Sequence, residues 1–125
     1  TTKQAPEVAQ CKPYDTKCDV YSFSILLWEL LALLPSFKPC SPDQFIDRVV
    51  IKNQRPVIDS KWPPLTRLVI PEAWDKDPKA RPDMKRVAIM IRGDLNDMTT
   101  DENVRHRTQH MHDRSTHSLE FDGVG

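Results

Sequence analysis

The residues from Val20 to Leu34, VYSFSILLWELLALL, are apolar except at Ser22, Ser24 and Glu29. A run of this length, with leucine and alanine crowding its second half, is a helix rather than a strand. A helix greasy on nearly every side is expected to be buried on nearly every side, so it should form the centre of the fold. Thr16-Lys17-Cys18-Asp19 has the spacing of a capping box at its start, and Pro35 stops it. Its roughly dozen apolar side chains contribute about 1.5–3 kcal/mol each if fully buried, alanine less. Leaving half that surface wet forgoes about 10 kcal/mol, comparable with the whole net stability of a domain.

The rest of the chain is arranged around that segment. Residues 1–18 are polar, hold Pro6 and Pro13, and read as irregular. Phe45, Ile46, Val49 and Val50 recur at spacings of three and four, which predicts an amphipathic helix over 43–52 capped by Ser41 or Asp43. Asn53 follows it as the residue best suited, after glycine, to a left-handed closing position. Residues 54–63 read as extended. A third helix is predicted from Pro64 to Trp74, burying Leu65, Leu68, Val69 and Trp74. Two prolines tighten the connection over 75–83, and Asp83 can cap a fourth helix running to about Met98. Its buried stripe is read as Met84, Val87, Ala88, Ile91 and Leu95. Large apolar residues become sparse from Thr99 onward, so 99–125 reads as a polar, disordered tail. The fold class is therefore mainly α, four helices with a partial domain over 1–98.

Composition narrows the function classes. In 125 residues there are 18 Lys plus Arg and 18 Asp plus Glu, a balance that gives no support to a nucleic-acid binder. Cys11, Cys18 and Cys40 are odd in number and lack metal-ligand or redox-pair spacing, which points to a reducing, cytoplasmic setting. No apolar run reaches the roughly 18 residues of a membrane span. His106 and His110 have the i, i+4 spacing of helical metal ligands, but no glutamate follows the first of them. A solvated tail that also holds His112 and His117 is the simpler reading. Gly93, Gly123 and Gly125 lie late and apart, so no phosphate-cradling loop is present. No serine sits in a nucleophile elbow.

The ordered constellation says more than any single residue. Ala5-Pro6-Glu7, Asp19-Val20-Tyr21-Ser22-Phe23, Trp28-Glu29, Arg55-Pro56, Trp62-Pro63, Trp74 and Asp77-Pro78-Lys79-Ala80-Arg81-Pro82 follow one another over about 95 residues. Together they resemble the second half of the large lobe of a eukaryotic protein kinase. The Trp-Glu pair and the late tryptophan resemble the tyrosine-kinase-like group, which is largely serine/threonine-specific, or the tyrosine kinases themselves. The resemblance implies that Glu7 closes the activation segment and pairs with Arg81. It implies that Asp19 holds the backbone of the catalytic loop, for which a simple helix cap is the bland alternative. It also implies that Leu26 and Leu30 support the spine beneath the adenine ring, where buried leucines could equally be plain core.

Three positions depart from the family pattern. Ser24 and Ala73 stand where glycine and cysteine are usual, and Asn53 where glycine is usual; all three keep a close approach or a positive φ possible. The glycine-rich loop, strand lysine, catalytic-loop aspartate and asparagine, and metal-binding aspartate all precede the Ala-Pro-Glu motif in the family. Thr1 and Thr2 would be the stump of the loop that receives the substrate. The expectation is thus a carboxyl-terminal kinase fragment with no catalytic, cofactor-binding or metal-binding residue of its own, inactive alone and poorly folded or prone to aggregate. Its parent would transfer the ATP γ-phosphate, with magnesium, to serine or threonine of proteins in signalling. Its partners would be the missing amino-terminal part of the domain and the protein substrate. A pseudokinase scaffold is the main alternative, tyrosine specificity a lesser one, and an unrelated helical interaction domain the third.

Overall fold

The computed structural model describes residues 3–122; of the side chains beyond 103, it describes those of 105, 106, 108 and 109. Thr1 and Thr2, and the side chains of His110, His112 and His117, lie outside the described residues. Five α-helices are present and no strand among the described residues: α1 (Pro6–Ala9), α2 (Lys17–Ala32), α3 (Pro42–Phe45), α4 (Pro64–Ala73) and α5 (Met84–Asp122). Helix α3 continues as a π-helical stretch, Ile46–Ile51, and a 3-10 turn, Pro78–Ala80, precedes α5. The chain divides into two compact units, Thr1–Ile91 and Arg92–Gly125.

In the first unit α2 packs on α4 and on the 3-10 turn. Val20, Tyr21, Ile25 and Trp28 of α2 meet Val69, Ile70, Ala73 and Trp74 of the α4 end, together with Ala5 and Val87. A smaller cluster of Phe45, Val49 and Val50 takes in Ala9, Phe37, Cys40 and Ile46. Helix α3 begins with a capping box: Ser41 Oγ accepts from the Gln44 amide, and the Gln44 side chain accepts from the Ser41 amide. Asn53 has φ 55°, the left-handed value its position requires.

Four expectations change. Helix α2 is not buried all round: Ser24 and four apolar residues, Val20, Tyr21, Ile25 and Trp28, form its inner face, while Leu26 and Leu30 are 43% and 63% exposed. Thr16 makes no side-chain cap; Asp15 Oδ1 instead accepts from the Lys17 amide at 2.8 Å. Helix α4 is rotated by one residue from the predicted stripe, burying Thr66, Val69, Ile70 and Ala73 and leaving Leu68 54% exposed. The polar Thr66 hides that register in the sequence. On α5 Val87 and Asp94 are buried, with Met90 and Ile91 half-buried, whereas Met84, Ala88 and Leu95 are exposed. Asp83 does cap the helix, its Oδ1 accepting from the Arg86 amide at 2.8 Å.

The second unit differs from the disordered tail expected over 99–125: helix α5 continues to Asp122. Neither proline nor glycine occurs between Gly93 and Gly123 to break it. Thr99 and Thr100 satisfy their hydroxyls inside the helix by donating to the carbonyls of Leu95 and Asn96. Residues 99–103 are exposed, so local hydrogen bonding rather than packing holds this part.

Candidate functional site

Glu7 enters through α1, where Pro6 supplies a fixed φ at the first helical position and Ala5 is fully buried beneath it. Arg81 enters from the loop between the 3-10 turn and α5. Their side chains meet as a two-pronged pair: Arg81 Nη1 to Glu7 Oε1 at 2.6 Å and Nη2 to Oε2 at 2.9 Å. Arg81 is 2% exposed and Glu7 7%. The guanidinium also donates from Nε to the Asp75 carbonyl at 2.8 Å and from Nη1 to the Lys17 carbonyl at 3.0 Å. Lys17 returns a bond from Nζ to the Arg81 carbonyl at 2.6 Å. This clasp ties α1, the start of α2 and the turn before α5 into one corner, with direction as well as distance set by the planar fork.

Tyr21 joins that corner. The guanidinium carbons of Arg81 and Arg55 lie 5.0 and 5.1 Å from its ring centroid, within cation–π range. Burial pushes the Tyr21 hydroxyl pKa up, against the opposing pull of the Arg55 and Arg81 charges. Burial also lowers the Arg55 pKa. Arg55 is anchored to backbone: Nε donates to the Trp74 carbonyl at 3.0 Å, and Nη1 donates to the carbonyls of Val49 and Gln54. Sequence reasoning placed Arg55 only within a motif and gave Tyr21 no role; an aromatic and a cation both inside an apolar neighbourhood is the signal that was available.

Trp28 and Trp74 are buried. The Trp28 indole N–H donates to the Val57 carbonyl at 2.7 Å, and its ring meets Trp62 edge-on at 6.2 Å. Ser24, in the glycine position, is buried with its hydroxyl turned back onto the Tyr21 carbonyl at 2.6 Å. Glu29 accepts from both the amide and hydroxyl of Ser36 and pairs with Lys3 at 3.1 Å. Burial alone raises the Glu29 carboxyl pKa, but the Ser36 and Lys3 contacts outweigh it and hold it below the usual range.

Asp19, Leu26 and Leu30 are placed differently from the rest. They recur at spacings of seven and four along α2, so they share one stripe, and all three are exposed. Among the described residues the Asp19 carboxylate makes no cap and accepts only a long contact from Cys18 Sγ at 3.8 Å. The cap reading of Asp19 is thus set aside, and so is the reading of the two leucines as core.

Residues 2–91 match the family model described as protein tyrosine and serine/threonine kinase. The chain is 38% identical over 87 residues to the serine/threonine/tyrosine-protein kinase HT1 of Arabidopsis thaliana, covering 70% of this chain and 22% of that protein. It is 35% identical over 106 residues to the serine/threonine-protein kinase STY17 of Arabidopsis thaliana, covering 85% of this chain and 18% of that protein. It is 38% identical over 86 residues to the dual specificity protein kinase shkB of Dictyostelium discoideum, covering 67% of this chain and 13% of that protein. The chain thus spans less than a quarter of the length of these curated relatives.

Proposed function

The chain belongs to the protein tyrosine and serine/threonine kinase family, and from that membership we propose that it is the carboxyl-terminal half of a kinase large lobe. In the full-length protein this half completes an enzyme that transfers the ATP γ-phosphate to serine or threonine of protein substrates. The observation that carries the reading is the α2 stripe. Asp19, Leu26 and Leu30, which the resemblance assigns to the catalytic loop and the spine, stand together on the exposed face of a helix whose other residues are buried or half-buried. An apolar stripe headed by a carboxylate is a seat for another part of the protein. The Glu7–Arg81 clasp is its counterpart, fixing the end of the activation segment to the lobe.

ATP and magnesium belong to this proposal only for the full-length protein. Among the described residues no three His, Cys, Asp or Glu side chains converge, and Asp19 is a single carboxylate. In this reading the chain alone is inactive. A protein substrate, a signalling role and a cytoplasmic setting are parts of the same proposal. Three free cysteines support the last of these, and no helix among the described residues is long and apolar enough to cross a membrane.

The test is incubation of the full-length protein with ATP, magnesium and a generic protein substrate, followed by phosphoamino-acid analysis. Phosphoserine and phosphothreonine are expected, with Asp19→Ala lowering the rate while leaving the fold intact by circular dichroism. Phosphotyrosine as the main product would reverse the specificity, and a folded protein with no transfer would favour the scaffold reading.

A further inference from the structure

A cavity of about 480 Å³ lies beside the second apolar cluster, bounded by the end of α2, the loop over 35–41, the π-helical stretch and residues 54–57. That volume is within the range of small-molecule sites, roughly 300–1,000 Å³. Its apolar wall includes three aromatic rings, Trp28, Phe37 and Phe45, beside valine and proline side chains. Its charged lining is all of one sign, Lys38, Arg48 and Arg55, with no aspartate or glutamate among the lining residues.

The walls are held by bonds that a ligand need not supply. Trp28 is fixed by its indole bond to Val57, and Phe37 meets Phe45 edge-on at 6.4 Å. The loop is tied back through Ser36 to Glu29, and Arg55 is anchored on three carbonyls. Such preorganisation lowers the cost of binding. Of the acids nearby, Glu29 is engaged with Lys3 and Ser36 and Asp47 with Lys52 at 3.0 Å, while the charge of Asp75 acts on Arg55 and leaves Lys38 and Arg48 as the unbalanced cations. Among the described residues neither Lys38, Arg48 nor Arg55 is in an ion pair.

We propose that this cavity binds a small amphipathic anion, an alkyl or aryl carboxylate, with its body against Trp28, Phe37 and Phe45 and its charge balanced by the exposed Lys38 and Arg48. The aromatic wall selects an apolar body, and the unbalanced cations select a negative head. The site lies outside the Glu7–Arg81 clasp and the α2 stripe, so it does not depend on the kinase reading.

Cys40 also lines this cavity, whereas Cys11 does not. A neighbouring cavity of about 330 Å³ is lined by both cysteines. This arrangement gives a localised assay in the full-length protein: alkylation of each thiol by iodoacetamide, read by peptide mass spectrometry, during titration with decanoate. Decanoate should slow Cys40 saturably and leave Cys11 unchanged, and decanol should protect at least about fivefold more weakly. Exposed charge contacts are worth about two- to fivefold each. The Lys38→Ala/Arg48→Ala variant, altered at two exposed positions, should therefore raise the half-protecting concentration about four- to twenty-fivefold. The Lys61→Ala control should not. The proposal is overturned by no protection of Cys40, by equal protection from decanol, or by unchanged protection in the double variant. Equal slowing of both thiols would place the ligand in the neighbouring cavity and also overturn it.

Discussion

Removing either member of the Glu7–Arg81 clasp tests whether a long-range ionic bond holds the corner from which the lobe is built. Breaking a buried ion pair from one side costs about 3–5 kcal/mol, because the remaining charge is stranded. The two sides are not equivalent here. After Glu7→Ala, Arg81 keeps the carbonyls of Asp75 and Lys17 and the face of Tyr21, which places the loss near the low end, about 3 kcal/mol. After Arg81→Ala, the Glu7 carboxylate is stranded and both carbonyls lose their donor, which places the loss near about 5 kcal/mol. The double variant strands no charge, so its loss should stay near about 5 kcal/mol, some 3 below the sum of the singles. The assay is urea unfolding followed by circular dichroism at the helix band. A Leu26→Gln/Leu30→Gln background, which removes exposed apolar surface from α2, is used to limit self-association, and trimethylamine N-oxide brings weak variants into range. Additive losses, or a Glu7→Ala loss below about 1 kcal/mol, would refute the reasoning, since neither fits a desolvated coupled pair.

Two further predictions rest on single contacts. Trp28→Phe removes the indole donor to the Val57 carbonyl and weakens the edge contact with Trp62, and should cost about 1–2 kcal/mol by thermal unfolding; no change would mean the bond is idle. Glu29 has its carboxyl pKa lowered on folding, so its stabilisation is fully present above the ordinary glutamate value near about 4.3 and is lost as pH falls through the lowered one. Glu29→Gln should therefore flatten the acid limb of stability between about pH 5 and 3, and an unaltered limb would show that the Ser36 and Lys3 contacts do not couple to folding.

What the sequence revealed depended on whether a residue's chemistry pointed in a direction. Ser41, Asn53 and Asp83 act through backbone geometry within a few residues, and each sits in the structure where its local chemistry places it. Helix α2 could be recognised by apolar length, but a helix apolar on most sides carries no signal for which side is inside. The exposure of Leu26 and Leu30 was therefore not legible. On α4 the inward Thr66 disguised the register, and on α5 the buried Asp94 did the same. The Glu7–Arg81 contact joins residues 74 positions apart, beyond any local pattern, and came only from motif order. Tyr21 under two guanidiniums, the π-helical stretch and the helical continuation to Asp122 arise from packing or from the absence of breakers.

The account's central claim is that the exposed face of α2 is a seat for another part of the same protein. Sedimentation equilibrium of the isolated chain, paired with a thermal melt, tests it most directly. Concentration-dependent self-association with a broad transition is predicted, relieved by Leu26→Gln/Leu30→Gln. An unmodified chain that stays monomeric and melts in one sharp two-state transition would contradict it.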